Sequence, residues 1–218
     1  MVNFSNDADI LKYEPTLFGE LHFAGQILAK GTGGVLSGTT FTASGADFVS
    51  ALVAAGGVIH LQSADGVLDM GVEVVSVDSA TQLTVSVIRD DSENNVIAPP
   101  AATAVTYRVS TFRPQASETS NQLTEYFGIS PGDPSSGIST ADILGTDVLR
   151  GMSVFAVLSS IYATLASDSE GDNFWKKSLY YKKLFEKARE RSRVSLDIDG
   201  DGVADTTRFG GSVNLKRN

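Results

Sequence analysis

The chain has 218 residues, 42% apolar and 20% charged, enough to bury a core in one large domain or two small ones. Its formal net charge of −9 excludes a general nucleic-acid or membrane-surface binder, which needs an excess of lysine and arginine. Without cysteine there is no disulfide framework, thiolate nucleophile or cysteine-type zinc site, and a reducing cytosol fits.

Residues 1–7 are polar and acidic and do not read as a signal peptide. Residues 6–30 read as helical: Asn6 or Asp7 can cap, and Ile10, Leu11, Leu17, Phe18, Leu21, Ile27 and Leu28 recur at roughly helical spacing. Pro15 interrupts the pattern, so a short first turn and then a helix over 14–30 are expected. Gly31-Thr32-Gly33-Gly34 ends it as a flexible hinge; this run lacks the Gly-Lys-Ser/Thr ending of a phosphate loop and follows no strand.

From 35 to 111 the character is β, with short runs rich in Val, Ile, Thr and aromatics at 39–42, 58–62, 68–77, 83–89 and 105–110. Turn formers separate them, and 47–55 can make one helical turn. Five short strands in so short a stretch predict a small barrel or a compact antiparallel sheet.

Helix returns after Pro114, over 117–127 with Ser117 as cap and Gly128 as stop. Residues 130–137 are a loop, and Ser139 or Thr140 caps a long helix to about Ala166. Ile143, Leu144, Val148, Leu149, Met152, Phe155, Ala156, Ser159, Tyr162 and Leu165 line its apolar face. Its charge-free stretch over 151–167 is short for a bilayer and reads as a buried core helix. A turn over 167–171 leads into a basic, aromatic helix at 174–193. The fold class read from this is α+β: a helical bundle from 1–33 and 113–196, an inserted small antiparallel β-barrel or sheet module at 34–112, and an acidic loop with an extended C-terminal arm at 197–218.

Charge is unevenly spread. Residues 1–173 hold six Lys/Arg against 20 Asp/Glu, whereas 174–193 hold eight against two, which points to charge complementarity between copies or with a partner. The candidate contact residues are Lys176, Lys177, Lys182, Lys183, Lys187, Arg189 and Arg191; a solvated helix face gives the same pattern. Trp175, Tyr181, Phe185 and Ala188 form one stripe, with Phe174 and Leu184 beside it, and such a stripe more often faces a core. Asp197, Asp199, Asp201 and Asp205 have the spacing of a calcium loop, with Gly202 for the bend, and calcium is the one cofactor this spacing admits. Arg208 stands where an EF-hand places its bidentate glutamate. The alternative is a tight acidic turn whose carboxylates bond backbone N–H groups, Arg208 or neighbouring basic residues.

The segment Asn6-Asp7-Ala8-Asp9-Ile10-Leu11-Lys12-Tyr13-Glu14-Pro15 resembles the N-terminus of the head–tail connector, or neck adaptor, proteins of tailed bacteriophages. The helix through Tyr180-Tyr181 and Ala188-Arg189 into Leu196-Asp197-Ile198-Asp199-Gly200-Asp201-Gly202, with Arg208 and Leu215-Lys216-Arg217 following, resembles the same family. Thr39-Thr40-Phe41-Thr42-Ala43 and the run over 74–85 resemble small β-domains of phage structural proteins, and the β-module enlarges the compact helical form of the family. The resemblance implies a structural virion protein rather than an enzyme, assembled in the host cytoplasm and located in the neck. It implies a homo-oligomeric ring beneath the portal, about a dozen copies by analogy. Its partners would be the portal protein, neighbouring copies, a downstream tail or tail-terminator protein, and genomic DNA passing without sequence-specific binding, with no membrane. The arm Ser212, Val213, Asn214, Leu215, Lys216, Arg217 and Asn218 would reach the portal or a neighbouring copy.

Two other readings remain. A tail-tube, tail-terminator or capsid-decoration protein suits the β-module but suits the long helices poorly. A DNA-binding module would use the basic helix 174–193. An enzyme needs a nucleophile or metal cluster, and His22 and His60, the two histidines, stand in no triad or metal spacing. Glu118 and Glu125, seven residues apart, can share a helix face, as surface carboxylates commonly do.

Overall fold

The alternating apolar runs close into a six-stranded antiparallel barrel in the computed structural model, which describes residues 3–20, 23–129, 137–166 and 172–211. The chain divides into two units, Asn6–Phe112 and Met1–Ser5 with Arg113–Asn218.

In the first unit the strands are β1 (Ile27–Ser37), β2 (Thr40–Thr42), β3 (Val58–Gln62), β4 (Asp69–Ser79), β5 (Gln82–Ser86) and β6 (Ala102–Ser110). Their order around the barrel is β1-β2-β5-β4-β3-β6, closed by β1 against β6. Period-two alternation sorts the side chains. Ile59 and Leu61 of β3 and Val105, Tyr107 and Val109 of β6 join Phe41, Val72, Val74, Leu83 and Val85 in the core. His60, Gln62, Thr106 and Arg108 alternate with them and are half-buried or exposed. Phe48, on the turn after β2, packs beside Tyr107 and Phe41 at 5.9 and 6.3 Å between ring centroids. That turn is closed by the Ala51 N–H donating to the Asp47 carbonyl at 3.0 Å.

The helix expected over 14–30 does not form. Asn6 caps α1 (Asp7–Leu11), but Pro15 separates it from one turn, α2 (Leu17–Glu20), and the backbone is extended from Ile27. An apolar run as short as Ile27-Leu28-Ala29 fits either period, and pairing with β6 decides it. The expected hinge at Gly31-Thr32-Gly33-Gly34 is likewise the middle of β1. The rings of Tyr107 and Phe41 lie over Gly31 and Gly34, where a Cβ would stand 2.7 Å from the Tyr107 hydroxyl and 2.6 Å from Phe41 Cζ. These glycines are needed for close approach, not flexibility. Gly34→Ala is expected to cost ~1–3 kcal/mol through overpacking; an unchanged urea midpoint contradicts this.

Residues 6–33 therefore belong with the barrel, and of the N-terminal stretch only Met1–Ser5 goes with the later helices. The cause is a set of ties to α1. The Asp7 carboxylate accepts from Thr111 Oγ1 and the Phe112 N–H, both at 2.7 Å, and the Ala8 N–H donates to the Gly56 carbonyl at 2.9 Å.

The second unit holds α3 (Arg113–Tyr126), α4 (Asp147–Leu165) and α5 (Asn173–Arg191), with a three-stranded antiparallel sheet of β7 (Ile143–Leu144), β8 (Arg193–Leu196) and β9 (Thr206–Phe209) in the order β7-β8-β9. Helix α3 starts four residues before the expected Ser117 cap, because Pro114 is tolerated in a first helical turn. The long helix does not start at Ser139. Gly145 takes a left-handed backbone (φ 68°), which breaks it, and Ile143 and Leu144 pair instead with β8. The basic helix ends at Arg191, and the residues after it form β8 rather than a last turn. The acidic loop is the turn of the β8–β9 hairpin. The arm at 212–218 lies outside the described residues.

Helix α4 packs against both α3 and α5. It is long and apolar enough to cross a membrane by length and composition, and Leu149, Met152, Val154, Val157, Leu158, Ile161 and Tyr162 are buried in the fold. Ser159 and Ser178 bring α4 and α5 close: each hydroxyl donates to the other's carbonyl, at 3.1 and 2.9 Å. Phe4 joins Leu123, Phe127, Met152, Val194 and Leu196 in the core, its N–H donating to Ser120 Oγ at 3.2 Å.

Candidate functional site

Helix α5 forms readily because 173–191 contain no glycine, proline or β-branched residue. The Asp172 side chain caps it by accepting the Phe174 N–H at 2.8 Å. At its other end Arg189 and Arg191 complement the helix dipole. One face is buried: Tyr181 stacks on Tyr162 at 6.0 Å, and Phe185 and Ala188 pack on the core. Trp175 and Phe174 are half-buried beside it.

The opposite face carries Lys176, Leu179, Tyr180, Lys183, Lys187 and Arg191, which helical spacing sets in one stripe. All six are exposed, Leu179 to 47% and Tyr180 to 59%. Lys182 is exposed on the flank. The other two candidate cations bind within the unit. Lys177 Nζ lies 4.7 Å from the centre of the Tyr162 ring and donates to its hydroxyl at 3.1 Å, and Arg189 lies 4.6 Å over the Tyr126 ring. Sequence reasoning named the cations but not Leu179 and Tyr180 as surface anchors. The signal was available: Tyr180 follows Lys176 by four residues and lies 100° around the helix from the buried Tyr181.

The acidic turn gathers Asp197, Asp199 and Asp205, with one carboxylate oxygen from each within 4.8 Å of the others. Asp201 is not in this group; its carboxylate accepts the Val203 N–H at 2.7 Å. Asp197 accepts the Gly200 and Gly202 N–H groups at 2.7 and 2.8 Å, and Asp205 accepts that of Ile198 at 2.7 Å. These bonds are those of the tight acidic turn, and three clustered carboxylates are also hard oxygen donors suited to calcium. Arg208 is directed elsewhere: its Nη1 would lie 3.7 Å from a Cβ at Gly128, beyond the end of α3.

A groove of about 510 Å³ opens on the first unit, between the outer face of β3, β4 and β6 and the segment running through α1 and α2. Leu11, Pro15, Met70, Val87 and Ile88 give it apolar walls. Its polar groups come from the strands and from α2. His60 Nε2 lies 3.2 Å from Asp69 Oδ1, and Gln62 Nε2 donates to Asp69 Oδ2 at 3.3 Å. Arg108 Nη2 donates to the carbonyls of Phe18 and Gly19, both at 2.8 Å, closing the end of α2. Gly19 permits the close approach, since a Cβ there would be 2.8 Å from His60 Nε2. His22 lies outside the described residues.

Burial pushes the His60 pKa below its ordinary 6.5, and Arg108 adds to this while Asp69 opposes it. The unfolded chain therefore binds the proton more readily. The stabilising contribution is complete above pH 6.5 and is lost as pH falls below it. Acid urea titrations should show a steeper loss below pH 6.5 for the wild type than for His60→Asn; equal slopes contradict this.

Comparison with protein families, with curated proteins and with solved structures gives no match to this chain.

Proposed function

We propose that the chain is a structural virion protein, a head–tail connector or neck adaptor of a tailed bacteriophage. Its copies form a ring beneath the portal, join the DNA-filled head to the tail and line the DNA exit channel. The helices act as the ring-forming bundle with the barrel as an added module, and the arm at 212–218 reaches the portal or the next copy. The partners are the portal protein, neighbouring copies, the downstream tail or tail-terminator protein and DNA that passes without sequence-specific binding. The chain works in the neck after assembly in the host cytoplasm, away from membranes, and catalyses no reaction.

The observation that carries this reading is the solvent face of α5: four cations around two exposed apolar side chains, on a chain of net charge −9. Apolar anchors ringed by charge are the anatomy of a protein-docking surface. The sequence resemblance at both ends of the chain supplies the class of assembly. The closed barrel favours a second reading, a tail-tube, tail-terminator or capsid-decoration component. Quantitative mass spectrometry of purified particles separates them. About a dozen copies per particle support a neck ring; hundreds, or absence from the particle, contradict it.

The acidic turn serves as a structural clasp of the β8–β9 hairpin, with calcium as the cation its carboxylates suit. Calcium should raise the thermal midpoint of the wild type and leave Asp197→Asn unmoved. A wild-type midpoint indifferent to calcium assigns the turn to backbone capping alone.

A further inference from the structure

The groove on the barrel unit and the outer face of α5 are complementary in polarity and charge. The groove has apolar walls, and the charged side chains at its exposed rim are Glu20 and Asp69. The Arg108 cation in it is already directed onto two carbonyls. The unit that carries the groove, Asn6–Phe112, holds twelve Asp/Glu against four Lys/Arg. The α5 face is the converse: Leu179 and Tyr180 at its centre, with Lys176 and Lys183 one turn to either side, about 10 Å apart along the axis.

We infer that the groove of one copy receives the α5 face of a second copy, with Leu179 and Tyr180 on the apolar walls and Lys176 and Lys183 against Glu20 and Asp69. The groove's 510 Å³ lies within the ~300–1,000 Å³ range of sites that enclose a bulky group, so a tyrosine ring and a leucine side chain fit together. The mode is a helix laid in a groove, read through anchors three and four residues apart. A tyrosine at the centre of such a contact is a favoured hot spot, because it is rigid and largely apolar with one polar tip. Gln62 and Thr106 line the groove as polar partners for that hydroxyl. The contact joins two different surfaces, so repetition from copy to copy closes a ring wherever the rotation allows. This inference rests on the self-association in the proposed function and names the surfaces that carry it.

The cysteine-free chain makes the test direct. Asp69→Cys and Tyr180→Cys are made in separate full-length chains, mixed, and treated with a short bismaleimide. The expected result is a covalent pair in the mixture, mapped to positions 69 and 180 by peptide mass spectrometry, and none from either chain alone. In parallel, Lys176→Glu with Lys183→Glu should weaken self-association about tenfold or more, and adding Glu20→Lys with Asp69→Lys should restore it. Wild-type assembly that gives neither the cross-link nor the rescue overturns the groove contact and leaves the connector reading standing. A wild-type chain that stays monomeric at high micromolar concentration also overturns this inference, while copy number in particles decides the proposed function independently.

Discussion

Replacing Arg89 with alanine should lower the unfolding free energy by about 3–5 kcal/mol. Arg89 and Glu73 are both buried. Arg89 Nε and Nη2 donate to the two Glu73 oxygens at 3.1 and 2.8 Å, a two-pronged pair. Its Nη1 donates to the carbonyls of Ser92 and Asn94 at 2.6 and 2.7 Å, fastening the loop between β5 and β6 to the barrel. Alanine strands the Glu73 carboxylate in a site that has excluded water and releases the loop. The double variant Glu73→Leu with Arg89→Met removes both charges, so it should cost far less than Arg89→Ala alone. Urea unfolding gives the free energies, and proteolysis within 91–97 reports the loop. A loss under ~1 kcal/mol for Arg89→Ala shows that the pair behaves as an exposed one.

The triple variant Lys176→Glu, Lys183→Glu and Lys187→Glu should abolish assembly while leaving the fold intact. All three lysines are exposed, and no hydrogen bond or ion pair ties any of them to the described chain. Their reversal puts three carboxylates onto a chain that is already acidic. Loss of three favourable contacts and gain of repulsion should raise the dissociation constant by at least ~100-fold, about 2.7 kcal/mol. Circular dichroism should be unchanged, since the buried face with Tyr181, Phe185 and Ala188 is untouched. Wild-type assembly should also weaken with added salt, as contacts between exposed charges do. Unchanged assembly of the triple variant removes α5 as the docking face. Tight, salt-sensitive retention of the wild type on DNA favours the DNA-binding module instead.

The residues themselves explain which features the sequence discloses. Val58–Gln62 is a short run of strand formers between clear turns, so β3 was legible from local composition. Strand β1 was not, because what makes it a strand is distant: pairing with β6, with Tyr107 and Phe41 in the space over Gly31 and Gly34. Read locally, four residues with three glycines look like a hinge. Gly145 hid a break in the long helix, since Leu144 and Val148 keep helical spacing across it while its left-handed backbone leaves no periodic trace. In the candidate site the cations of α5 were legible by composition. The anchors Leu179 and Tyr180 were legible only through helical angle, which sets them on the lysine stripe and 100° or more from Tyr181. The groove was least legible of all. His60 and Asp69 lie nine residues apart and meet only through the β3–β4 register, Gln62 opposite Asp69. One wall comes from Leu11 and Pro15, which the sequence places in the helical bundle.

The most direct test of the connector reading is a cryo-electron microscopy map of the neck in purified particles, with this chain fitted as its two units. A ring of barrel units and three-helix units is expected directly beneath the portal, coaxial with the DNA. Density for the chain along the tail tube or over the capsid surface, or a neck with no room for it, would contradict that reading.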